Sequence, residues 1–336
     1  MAGRLVRWIP FRAALLAALV LGALGGAAAS PAASSACIPP DEGPEVCLDV
    51  AHTPETVSVS RSGGSAYAAF TAAIRNTSGQ TVNHVTLEVT SIGTGPGDEF
   101  AFFSATPSTG TCSHDAASSE VRCLFGQLKK GASAQVELVL RAPTVPGEKA
   151  LDFTAFFDER KSDNPGSPGK VDTVSVTETI VVTPPGPTAN SFVPRNAAVG
   201  LEIDKNGQEG GVDLPPQSFS TTAELKFTPT DAIPFKCPSI CRGGDWFSAT
   251  IPGRFNPLAE FDLFWPAHLV PSKQTEQNFE VFYVPQPGAK VQTIKARCDS
   301  KLSVVPCLKD ITEFKSGPLK GSFAATVVRA DNGHMR

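Results

Sequence analysis

Alternation of apolar and polar residues, not helical periodicity, runs through most of this chain. Val85, Leu87 and Val89 alternate with Thr86 and Glu88, the period-two pattern of a strand with one buried face. Strands are predicted over 66–74, 101–105, 121–125, 136–140, 151–157 and 174–182, with a turn at Asn76-Thr77-Ser78-Gly79. Further along, strands are predicted over 199–203, 223–228, 246–251, 260–265, 279–284, 291–296 and 322–329. The expected fold class is all-β, with two β-sandwich-like domains. The first, with about seven short strands, is expected to be immunoglobulin-like.

The chain does not begin as a sandwich. Arg4, Arg7 and Arg12 precede an apolar Leu/Ala run over 13–23, and Ala27-Ala28-Ala29 fits a signal-peptidase cut before Ser30. Residues 1–29 are therefore expected to be a cleaved signal peptide, because the apolar run falls short of the ~20 residues of a spanning helix. A lipid anchor on Cys37 would want an aliphatic residue three places earlier, where Ser34 stands. Later apolar runs are interrupted by charges, so no transmembrane segment is expected in the mature chain, and secretion follows.

Thr183-Pro184-Pro185-Gly186-Pro187-Thr188-Ala189 marks an internal boundary, since proline fits neither helix nor central strand. The expected organisation is a first domain over 37–183, a linker over 184–189 and a second β-rich domain over 190–336. Charge shifts at the same place, from a net −8 over 37–186 to +1 over 187–336. The acidic balance of the mature chain argues against nucleic acid as a partner.

Eight cysteines in an exported chain point to disulfides. Local spacing favours Cys37 with Cys47, Cys112 with Cys123, Cys237 with Cys241 and Cys298 with Cys307. A four-thiolate zinc site from Cys237, Cys241, Cys298 and Cys307 is the weaker alternative, with imperfect spacing and export against it.

Gly110-Thr111-Cys112, then Val121-Arg122-Cys123-Leu124-Phe125-Gly126-Gln127-Leu128 and Gly131, follow the Asn76–Gly79 turn. This run resembles the bacterial conserved-repeat Ig-like family, the domain of unknown function numbered eleven, over roughly 47–182. Asp158, Asp163, Asn164 and Pro165 match that family's late loop, whereas Gly93-Thr94-Gly95-Pro96-Gly97 stands where the family has D-x-L-P. The resemblance implies an Ig-like fold and a place among exported surface proteins. The C-terminal half, with Cys237-Pro238-Ser239-Ile240-Cys241 and a final Asn332-Gly333-His334-Met335-Arg336, resembles an uncharacterised C-terminal module of secreted, actinobacterial-type proteins. That likeness implies no activity.

Catalytic chemistry finds little support. There is no G-x-S-x-G elbow and no H-E-x-x-H, and His52, His84, His114, His268 and His334 are scattered without metal-ligand spacing. Asp158, Glu159, Asp163 and Asn164 could offer oxygen ligands to calcium, but lack the Asp-x-Asp-x-Asp-Gly pattern and read equally as a self-capped turn. Asn76-Thr77-Ser78 fits a glycosylation sequon, although the turn alone accounts for it. Trp246, Trp265 and Tyr283 could stack on a sugar, against the competing role of core packing. No cofactor and no metal are expected. The expectation is a non-catalytic protein of adhesion, display or envelope structure, whose partner is a protein or glycan at the cell surface. The alternative is a carbohydrate-binding module. The loops over 93–99 and 113–120 are candidate contact surfaces.

Overall fold

A computed structural model describes residues 33–38, 45–59, 65–93, 97–158, 171–205, 208–218, 222–230, 246–250, 258–270, 272–284, 290–302, 305–329 and 334–335. The leader expected over 1–29 lies outside them. Every regular element among the described residues is a strand. The first half contains β1 (Ala33–Cys37), β2 (Val46–Thr53), β3 (Thr56–Ser58), β4 (Tyr67–Asn76), β5 (Val82–Thr90) and β6 (Ile92–Gly93). It continues with β7 (Phe100–Pro107), β8 (Thr111–Asp115), β9 (Glu120–Leu128), β10 (Ser133–Arg141), β11 (Gly147–Asp158) and β12 (Val171–Thr183).

These strands form two six-stranded sheets, β1-β2-β4-β10-β7-β6 and β3-β12-β11-β5-β9-β8. The segment β2-β4-β10-β7 has the A-B-E-D arrangement, and β12-β11-β5 the G-F-C arrangement, of an immunoglobulin-like sandwich. One departure is that β7, at the D position, precedes the β8–β9 hairpin that extends the opposite sheet. Alternation explains the core. Phe70, Ala72 and Ile74 of the first sheet, and Leu87, Phe153, Ala155 and Ile180 of the second, are buried inward.

Two polar residues break that inward alternation. His52 follows Leu48 and Val50 on the inner face of β2, and Glu178 lies between Val176 and Ile180 on β12. They meet across the sandwich, with His52 Nδ1 2.7 Å from Glu178 Oε1 and both side chains buried. His52 Nε2 lies 3.3 Å from the Glu55 carbonyl, so both ring nitrogens have partners.

The second half contains β13 (Ala189–Val193), β14 (Val199–Lys205), β15 (Gln208–Leu214), β16 (Ala223–Thr230), β17 (Trp246–Thr250) and β18 (Ala259–Trp265). β19 (Val281–Val284), β20 (Gln292–Ile294), β21 (Cys307–Glu313), β22 (Phe323–Arg329) and β23 (His334–Met335) complete it. The sheets are β13-β16-β17-β23-β19-β20 and β14-β15-β18-β22-β21. Phe227 of the former packs on Phe261 of the latter, with ring centroids 6.3 Å apart. Arg329 is wholly buried, with its guanidinium 5.0 Å from the Phe261 ring centre and 4.6 Å from that of Tyr283. Such stacking on two rings compensates part of its desolvation.

No sheet shares strands across 184–189, yet the residues that follow it pack against the first half. Asn190 N donates to Ser58 Oγ, Tyr67 N to Ser191 Oγ and Gly200 N to the Ser65 carbonyl. The buried apolar residues of both halves form one continuous cluster.

Among the described residues three disulfides are present: Cys37–Cys47, Cys112–Cys123 and Cys298–Cys307. The first two join residues directly opposite each other in antiparallel pairs, so each staples a hairpin. With Cys298 and Cys307 bonded to each other, neither offers a thiolate to zinc. Cys237 and Cys241 lie outside the described residues. Disulfides of this density belong to oxidising compartments. No helix among the described residues is long and apolar enough to cross a membrane.

The glycine positions of the β9–β10 turn match their expected role, with Gly126 at φ 78° and Gly131 at φ 71°. The Asn76 turn is more constrained than the sequence implies. Asn76 is buried, and its Nδ2 donates to the carbonyls of Gln80, Leu128 and Lys129 while Ser78 Oγ donates to its Oδ1. An amide so occupied is not open to glycan attachment in the folded chain. Asn76→Ala is expected to lower stability by about 1–3 kcal/mol, from carbonyls left without a donor. Urea unfolding of the variant measures this.

Candidate binding site on the open face of a sheet

The outer face of the β3-β12-β11-β5-β9-β8 sheet carries an open cleft of about 400 Å³ beside β5. Strand register builds it. Thr86 pairs with Leu124 of β9 on one side and with Phe156 of β11 on the other, giving a cross-strand row Leu124–Thr86–Phe156. Leu124 is 52 % exposed, unusual for so large an apolar side chain. One row along, Glu88 faces Arg122, and Arg122 Nη2 lies 2.8 Å from Glu88 Oε1.

The other border comes from a bulge. β5 holds an extra residue against both of its neighbours near His84, which adopts φ 51°. Bulges of this sort re-aim a side chain and recur beside functional sites. His84 is thereby turned outward, 75 % exposed, with Nδ1 3.7 Å from Oδ2 of the buried Asp158. Thr86 Oγ1 donates to the His84 carbonyl across the kink, and Gln127 Nε2 donates to Asn83 Oδ1. The cleft thus holds Thr86 and Phe156 between the Glu88–Arg122 ion pair and the close approach of His84 to Asp158.

A second, smaller trough of about 230 Å³ lies on the β14-β15-β18-β22-β21 sheet. Its floor is backbone and small side chains (Gly211, Ala324), and Glu202, Glu209 and Asp262 surround it. Burial raises the Glu209 carboxyl above its ordinary range, and the charges of Glu202 and Asp204 add to that. A carboxyl raised in the folded state binds its proton more tightly there than in the unfolded chain. Its charged form therefore destabilises the fold at pH above the folded value, and the penalty fades as pH falls toward the unfolded value. Glu209→Gln is expected to raise Tm at neutral pH and to leave it unchanged in acid, read by thermal melts at the two pH values. Asp49 has the opposite sign. The hydrogen bond from Arg75 lowers it, so its contribution is lost as pH falls through the folded value.

The aromatic residues proposed from sequence for sugar stacking lie elsewhere. Trp265 is 4 % exposed and packs edge-on against Phe279, which stacks on Phe323. Tyr283 is 2 % exposed and covers Arg329. Neither ring face is open to a ligand, because both lie inside the second sandwich. Trp246 sits on β17, and its side chain lies outside the described residues. Of the suggested calcium loop, Asp158 is placed beside His84, whereas Glu159, Asp163 and Asn164 lie outside. His114 stacks on Phe102 at 4.5 Å and serves as part of the β7–β8 contact. Among the described residues, no three His, Cys, Asp or Glu side chains are placed to hold a metal ion.

His84, Glu88, Arg122, Leu124 and Phe156 were not singled out as a site by sequence reasoning. Each alternates outward on its strand, which is legible, but the pairing that gathers them is not.

No family model matches the chain, and no curated protein matches it. Among solved structures, it is similar to a DUF4466 family protein from Parabacteroides merdae at 10 % identity. That alignment covers 91 % of this chain and 98 % of the other, with a TM-score of 0.26, and lends no support to any function.

Proposed function

We propose that this chain is an exported, non-catalytic Ig-like protein that acts by binding at the cell surface, in adhesion, display or envelope structure. The observation carrying this reading is the composition of the open cleft. Its histidine faces a carboxylate rather than a hydroxyl, and the neighbouring Thr86 hydroxyl is committed to a backbone carbonyl. Nucleophilic catalysis needs a hydroxyl or thiol within hydrogen-bond reach of its base, and among the residues lining this cleft none stands against the His84 ring. The buried His52–Glu178 pair is closed to substrate in the sandwich interior.

A panel of peptidase, esterase and glycosidase substrates tests the proposal with purified protein. No turnover is expected. Turnover that disappears in His84→Ala or Asp158→Asn would overturn it. The export component predicts a secreted form whose N-terminal residue is Ser30. Non-reducing peptide mapping of that form should show a fourth bridge, between Cys237 and Cys241; free thiols there would contradict the pairing.

A further inference from the structure

From the cleft beside β5, we infer a binding site for neutral carbohydrate, with Phe156 facing the ring carbons and the bordering Glu88, Arg122, His84 and Asp158 side chains engaging the hydroxyls. The inference rests on the binding reading above and names its ligand class.

Three observations lead there. First, the lining forms a narrow row across three strands, from Phe156 of β11 through Thr86 of β5 to Arg122 of β9. Strands lie about 4.8 Å apart, so the row spans roughly 10 Å, the scale of one or two sugar rings. A pyranose presents C–H groups on its faces and hydroxyls around its edge, the same division as the cleft. A hydrocarbon ligand would bring the bordering charges no partner.

Second, the borders carry both donors and acceptors. Glu88 is matched by Arg122 at 2.8 Å, and His84, charged only when protonated, lies 3.7 Å from Asp158. An anion would meet two carboxylates, and a cation would meet the guanidinium. A neutral hydroxyl both donates and accepts. It can donate to Glu88 and accept from Arg122 without separating the two. Third, the cleft's volume, about 400 Å³, falls in the small-ligand range. The bulge that turns His84 outward is the local distortion that shapes its end.

The test is affinity electrophoresis of the full chain from Ser30 in native gels containing dextran, mannan or hydroxyethyl cellulose, with heparin as the anionic comparison. Retardation by at least one neutral polysaccharide is expected, weakened tenfold or more in Arg122→Ala and in Phe156→Ala. Both side chains lie on the outer face of the sheet, and a thermal melt checks folding. Thr177→Ala, on the same face but outside the cleft, should change nothing. Retardation by heparin alone, by no polysaccharide, or equally in wild type and both cleft variants would overturn the inference. Those outcomes leave the non-catalytic reading standing, because only substrate turnover overturns that.

Discussion

Glu178→Leu, which strands a buried histidine, is expected to be among the most destabilising single substitutions in the first sandwich, at about 3–5 kcal/mol. The cost comes less from the lost contact than from the group left behind. His52 would keep one hydrogen bond, to the Glu55 carbonyl, and lose the partner of its other nitrogen in a site without water access. The double variant His52→Leu/Glu178→Leu removes both polar groups and is expected to recover most of the loss, since well-packed apolar replacements of buried pairs are often neutral or better. Urea unfolding of the two single variants and the double variant closes the cycle. Additive losses would mean that the two side chains do not act as a pair.

Gly110→Ala is the second large effect. Gly110 has φ +79°, and a Cβ there would stand 1.9 Å from the Leu124 carbonyl oxygen, a backbone atom that cannot swing aside. The left-handed conformation costs about 1–2 kcal/mol for a non-glycine residue, and relieving the overlap adds about 1–3 kcal/mol. Gly126 separates the two contributions. It has φ +78° with nothing within 4 Å of the built Cβ, so Gly126→Ala should show only the conformational cost. Thermal melts of the pair measure the difference. Equal losses would show that the Leu124 backbone yields freely.

How much of this was legible beforehand differs between elements. The long alternating strands were readable, and so were the local disulfides Cys37–Cys47, Cys112–Cys123 and Cys298–Cys307, because both depend on short-range pattern. Strands such as β15, with Gly210 and Gly211, and β21, with Lys309 and Asp310, escaped because their apolar signal is diluted by glycine and charge. Glu178 could have been flagged from sequence alone, as the acid in the inward series Val174, Val176, Ile180, Val182. That its partner is His52, 126 residues away, could not, because the facing of β2 against β12 is set by the whole sandwich. The cleft is hidden for the same reason. Arg122, Glu88, Thr86 and Phe156 lie on three strands whose register depends on bulges at His84 and Gly126, and no local pattern announces a bulge. The stacking role considered for Trp265 and Tyr283 meets the opposite difficulty, since an aromatic in an apolar strand looks the same from sequence whether its face is covered or open.

The central claim, that this protein works by binding at a cell surface, is tested most directly by an equilibrium isotherm of the purified chain on washed cell-envelope material from its own source. The expected result is saturable retention, with no change in the size of the released envelope polymers during incubation. Retention no greater than that of a serum-albumin control, or release of shortened polymers that grows with time, would contradict it.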